Sequence, residues 1–82
     1  MNEVANDVAY DVELDCQGML CPLPILKTKK VIDTMEIGKI LKMLSTDAGS
    51  MNDMNAWTNQ TGNELIYSTQ NDGLYTYFVR KT

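Results

Sequence analysis

Leu14-Asp15-Cys16-Gln17-Gly18-Met19-Leu20-Cys21-Pro22-Leu23-Pro24-Ile25 is the stretch on which the fold turns. It closes one alternating segment, crosses a glycine, and enters a segment with apolar residues at helical spacing. Before it, Tyr10, Val12 and Leu14 alternate with Asp11, Glu13 and Asp15. That alternation predicts a half-exposed strand over residues 9–15. Residues 16–20 read as a loop, with Gly18 free to take a positive φ. From Pro22 or Pro24 to about Glu36, the residues Ile25, Thr28, Val31, Ile32 and Met35 gather on one helical face, with Lys27, Lys30 and Thr34 opposite.

Working outward, Gly38 reads as the stop of this helix. Residues 39–45 carry apolar side chains on both faces, as a central strand does. Residues 46–50 form a turn. Ser50 followed by Asp53 marks a helix start of the capping-box kind, with Asp in place of Glu or Gln. Met51, Met54, Ala56 and Trp57 are spaced for a second amphipathic helix that stops at Gly62. Residues 63–69 and 74–80 alternate as strands, and Asp72-Gly73 between them is a hairpin signal.

The predicted order is βαβαββ. Two helices with apolar faces need one sheet face to cover. The expectation is therefore an α+β fold, a two-layer α/β sandwich with both helices on one face of a four-stranded mixed sheet. A right-handed crossover makes the first two strands parallel, and the last hairpin is antiparallel. The pattern leaves the spatial order of the strands open. Residues 1–8 read as a polar, flexible lead-in, and residues 9–82 as a single domain.

Composition excludes several functions. The chain has 82 residues, of which 44% are hydrophobic, so it fits one small globular domain. No apolar run approaches a membrane span, and the first residues lack the regions of a signal peptide. A cytoplasmic protein is expected. The formal charge of −4 argues against direct, stable nucleic-acid binding. Lys27, Lys29, Lys30, Lys39 and Lys42 supply five of the seven basic residues. Histidine is absent, which removes Cys-His and Ser-His pairs and His-ligated metals. No cofactor and no metal are expected.

Cys21 stands where the helix begins. Proline suits the first helical turn because its missing N–H needs no partner. Two registers fit: Cys21 as N-cap with Pro22 first, or Leu23 as cap with Pro24 first. In both, Cys21 lies within a turn of the helix N-terminus, whose partial positive charge favours a thiolate. Lys27 is a further positive charge close by in sequence. Such a thiolate can attack a sulfane sulfur and hold it as a persulfide, by sulfur-for-sulfur exchange.

This stretch resembles the signature of the TusA/SirA-like sulfur-carrier family, L-D-x-x-G-x-x-C-P-x-P followed by a helix with a basic residue. Residues 46–50, Asp53, Ala56-Trp57 and residues 62–65 are similar to the family's T-D-P-G-S, D-I-P-A-W and G-H-E-L elements. The likeness covers residues 10–80. It implies the same βαβαββ sandwich and a mobile-sulfur role. Cys21 would bear the sulfur, while Pro22, Pro24, Gly18 and Leu23 would shape its surroundings. A donor of the cysteine desulfurase or rhodanese type would load it, and a downstream acceptor protein would unload it, toward tRNA thiolation, cofactor sulfuration or sulfur oxidation. Ala48 and Asn55 stand where the family has prolines, and Asn63 where histidine is common. Leu23 fills a slot that often holds Glu in the tRNA-thiolating branch, which implies a different partner face.

Each feature has a plainer reading. Cys16 could resolve a persulfide as a second thiol; as a small apolar residue at a strand end it would only pack, and that reading is preferred. Lys27 and Lys30 would dock acidic partners or simply solvate a helix. Met19 lies beside Cys21, where it could form an apolar collar with Leu20 and Leu23. Trp57 reads as a core anchor, and Asp47 and Asp53 as turn and cap residues. The rival function is a thiol-redox or regulatory binding module in which Cys16 and Cys21 cycle between dithiol and disulfide.

Overall fold

The computed structural model describes residues 9–82. The expected lead-in over residues 1–8 lies outside the described residues. Strands β1 (Val12–Cys16), β2 (Ile40–Ser45), β3 (Glu64–Asn71) and β4 (Leu74–Arg80) alternate with helices α1 (Leu23–Thr34) and α2 (Ser50–Thr61) in the order βαβαββ. The sheet order is β1-β2-β4-β3, with β1 parallel to β2 and both other pairs antiparallel. The strand the pattern marked as central, β2, lies inside the sheet. No helix among the described residues is long and apolar enough to cross a membrane.

Alternation builds the core. Leu41, Met43 and Cys16 meet Tyr77 and Val79 beneath Ile32 and Met35 of the α1 segment and Met54 and Trp57 of α2. Helix α1 buries Pro24, Thr28 and Ile32. Thr28 fits there because its hydroxyl donates to the Pro24 carbonyl at 2.7 Å, so no polar atom is stranded. The hairpin turn holds Asp72 and Gly73 at φ of 52° and 81°. Two positive φ values are what a tight type I′ turn demands.

Three local expectations are corrected. Helix α1 stops at Thr34, not at Glu36 with Gly38 as its stop; Met35 turns extended and drops its side chain into the core. Tyr10 does not share a face with Val12 and Leu14. The strand begins only at Val12, and Tyr10 lies against Phe78 on the helix-free face, ring centroids 6.3 Å apart. Strand β3 carries a bulge between Leu65 and Tyr67, which pair with the consecutive residues Val79 and Phe78. The extra residue reverses the alternation. Tyr67 then joins Phe78 on the open face, and Ser68 turns toward Met51 of α2. The face without helices is thus covered by side chains: Phe78 is only 1% exposed. Lys42 Nζ sits 5.1 Å from the Tyr10 ring centroid as part of that cover.

Candidate functional site

Parallel neighbours β1 and β2 end side by side, Cys16 opposite Ser45. Each runs into a loop and then a helix at the same end of the sheet. In open α/β sheets the space beyond the carboxyl ends of parallel strands is where functional groups collect. Here the two loops are tied together. The Gly18 N–H donates to Thr46 Oγ1 at 2.8 Å, and the Cys21 N–H donates to Asp47 Oδ2 at 3.0 Å. Gly18 takes φ 83°, a positive value that glycine is free to adopt. Asp47 is held by its own turn: Ser45 Oγ accepts its N–H, and its side chain accepts the Gly49 N–H.

Helix α1 begins in a third register, with Pro22 as N-cap, Leu23 first and Pro24 second. The Cys21–Pro22 peptide is cis. No side chain caps this helix. The thiol of Cys21 instead reaches across to α2 and donates to Asp53 Oδ2. Asp53 comes from the first turn of α2, one turn below Trp57. Cys21, Pro22 and Ile25 at the start of α1, with Asp53, Ala56, Trp57 and Gln60 along α2, line a pocket of about 240 Å³.

The electrostatics correct the expected thiolate. The Cys21 thiol is pushed up from its ordinary value, first by its hydrogen bond to Asp53, then by desolvation and by the charges of Asp53 and Asp47. No helix-start N–H among the described residues donates to the sulfur. Pro22 and Pro24 have no N–H, and the Leu23 N–H is taken by the Leu20 carbonyl at 2.9 Å. Nor does Lys27 serve Cys21; its charge acts on Cys16.

The remaining residues divide clearly. Cys16 is fully buried in the core, and burial pushes its thiol up. Both cysteines are free. Leu23 faces away from the pocket, 48% exposed, and with Leu26, Lys27 and Lys30 lines a second groove of about 350 Å³ on α1. Leu20 is exposed in the loop before Cys21, while Met19 packs on the core. Met19 therefore leaves the apolar collar.

A family model described as Sulfurtransferase TusA matches residues 12–81. The chain belongs to the TusA family. It is 42% identical over 73 residues to the sulfur carrier protein TusA of Allochromatium vinosum, covering 89% of this chain and 96% of that one. A putative sulfur carrier protein of Halobacterium salinarum is 45% identical over 76 residues, covering 89% and 94%. A crystal structure of a SirA-like protein from Desulfitobacterium hafniense shares the fold, with TM-score 0.74, 20% identity, and coverage of 85% and 96%.

Within this TusA-family fold, Asp53 is the group that pattern reading assigned elsewhere. Ser50 and Asp53 were expected to cap α2. Gly49 is the N-cap, without a side-chain bond. Ser50 is buried and its hydroxyl pairs with the Tyr77 hydroxyl at 2.6 Å, leaving Asp53 for Cys21. The available signal was the helical spacing of Asp53 and Trp57, which sets both on one face.

Proposed function

We propose that the chain is a sulfur carrier and that Cys21 is the residue that bears the sulfur. The carrying observation is an exposed, free thiol set at the mouth of a small pocket, in a chain of this family. As the thiolate, Cys21 Sγ attacks the outer sulfur of a donor cysteine persulfide. A new S–S bond forms at Cys21, the donor's S–S bond breaks, and its electron pair leaves on the donor cysteine as thiolate. Delivery runs the same exchange with Cys21 as leaving group. No oxidant or reductant is consumed in either step.

The donor is a protein of the cysteine desulfurase or rhodanese type, and the acceptor is a second protein. Leu23 and Leu26 with Lys27 and Lys30 offer a docking face beside the thiol, apolar at its centre and basic at its rim. Pro22 is the helix cap and a pocket wall, Pro24 anchors the helix start in the core, and Gly18 shapes the loop. Cys16 packs and takes no part in transfer. The reading places residues 9–82 in one domain working in the cytoplasm, where thiols stay reduced.

Intact mass tests it. After incubation with a sulfane-sulfur donor, the wild type gains about 32 mass units per sulfur, lost on reduction, and Cys21→Ser gains nothing. No gain from any donor, a protein persulfide included, or a gain that survives in Cys21→Ser, refutes the assignment. A reversible loss of two protons without sulfur addition would favour dithiol–disulfide cycling of Cys16 and Cys21 instead.

A further inference from the structure

A nucleophile of this kind works only as thiolate, yet its surroundings favour the thiol. Two carboxylates face Cys21: Asp53 from α2 on the sulfur, and Asp47 from the β2–α2 turn on the backbone N–H. They are also the charged groups that act on it, both in the sense that keeps the proton on sulfur. From α1, the nearest basic residues in sequence, Lys27, Lys29 and Lys30, line the other groove. Prolines occupy two of the first positions of the helix and the Leu23 N–H is already used, and the sulfur's hydrogen bond among the described residues goes to Asp53.

Asp53 is a poor base for this thiol, since a carboxylate binds a proton far more weakly than a thiolate does. Its contact does not activate the sulfur. It holds the proton in place and repels an approaching anion, such as an inorganic polysulfide or an anionic disulfide. A cation set against Asp53 would reverse both effects by neutralising the carboxylate and drawing it off the thiol.

We propose that Asp53 gates Cys21, and that a cognate partner opens the gate with a lysine or arginine side chain placed against Asp53 as it presents its sulfur. The free protein then reacts slowly with small thiol reagents, and with anionic ones above all. It reacts when a positively charged surface docks at the pocket. Together with the lysine face on α1, this defines a partner surface with two zones, basic where it meets Asp53 and acidic where it meets Lys27 and Lys30. The proposal rests on the carrier reading for its biological meaning, but its chemistry is tested apart from sulfur delivery.

The test compares wild type with Asp53→Asn, which keeps the shape and an acceptor oxygen but removes the charge, and with Asp53→Glu, which keeps the charge. Cys21 is probed in the folded protein with neutral iodoacetamide across pH. It is also probed with two small disulfides, cationic cystamine and anionic dithiodiglycolate. In the exchange, Cys21 loses its proton to solvent, its sulfur bonds one sulfur of the probe, the probe's S–S bond breaks, and the second sulfur leaves as thiolate.

Asp53→Asn is expected to alkylate several-fold faster at neutral pH, with its rate profile shifted to lower pH. Wild type is expected to favour cystamine strongly over dithiodiglycolate, Asp53→Asn to lose most of that preference, and Asp53→Glu to retain it. Equal alkylation by wild type and Asp53→Asn overturns the gate. Slower alkylation by Asp53→Asn also overturns it, because Asp53 would then be helping to take the proton. A melting curve for each variant shows that the folded state is being read. If gating behaves as expected while no sulfur is ever loaded, the carrier reading fails and the gate stands. If sulfur loads normally and Asp53→Asn is indifferent to every probe, the gate alone fails.

Discussion

Replacing Ser50 with Ala perturbs the seat of helix α2 rather than its chemistry. Ser50 Oγ and the Tyr77 hydroxyl lie 2.6 Å apart, and both residues are essentially inaccessible to water. In Ser50→Ala the helix keeps its backbone bonds and gains intrinsic propensity, which is worth a few tenths of a kcal/mol. Against that, the Tyr77 hydroxyl is left buried without its partner, at a cost of about 1–3 kcal/mol. The net expectation is a loss of about 1–2 kcal/mol. For a domain of this size each kcal/mol lowers Tm by about 4–8 °C. Tyr77→Phe should cost a similar amount for the converse reason. The double variant should cost clearly less than the sum, because removing both polar groups leaves nothing unsatisfied. Urea denaturation of the four proteins gives the cycle. Additive losses, or a neutral Ser50→Ala, would refute the idea that this bond seats the helix. Alkali offers a second readout. Burial pushes the Tyr77 phenol above its ordinary value. The wild type therefore loses stability as pH climbs past the ordinary tyrosine range, because unfolding releases a proton that the folded state keeps, and the loss levels off above the raised value. Tyr77→Phe should show less of this alkaline decline.

Two further outcomes follow from burial and backbone geometry. A neutral alkylating reagent should modify one cysteine per folded chain, Cys21, and reach Cys16 only in denaturant; peptide mapping reads this, and native labelling of Cys16 would contradict its place in the core. Gly62 closes α2 at φ 82° with nothing within 4 Å of where a Cβ would go. Gly62→Ala should therefore lower stability by about 1–2 kcal/mol through backbone strain alone, seen as a shifted urea midpoint with an unchanged slope.

The fold was legible because its periods were clean. The change from alternation before Cys16 to helical spacing after Pro24 gave the first crossover, and Asp72-Gly73 gave the hairpin. What escaped was decided by contacts that sequence spacing does not encode. The bulge at Ile66 breaks an alternation that reads as unbroken in one dimension. Tyr10 leaves the face of Val12 because the chain turns before the strand begins. Cys21 could be picked out from its place before Pro22, but not its electrostatics. A helix start normally lowers a thiol, and here prolines withdraw the donors while Asp53, 32 residues away, supplies an opposing charge. Asp53 itself looked like a capping residue, because no local pattern shows that Ser50 would turn inward to Tyr77.

The ties that hold the thiol's loop to the next loop join distant parts of the chain: 28 residues separate Gly18 from Thr46, and 26 separate Cys21 from Asp47. Strand β1, which feeds that loop, is an edge strand reached by a parallel crossover. The β3–β4 hairpin, by contrast, closes over two residues. Contacts of short separation form cheaply and early, while long closures wait for them. The end of the molecule that carries Cys21 is thus expected to assemble last and, by the same ordering, to open first. Hydrogen exchange should find the amides of residues 17–23 trading with solvent well before those of β4. A partner that needs to shift this loop then works against its few local ties and not against the stability of the whole domain.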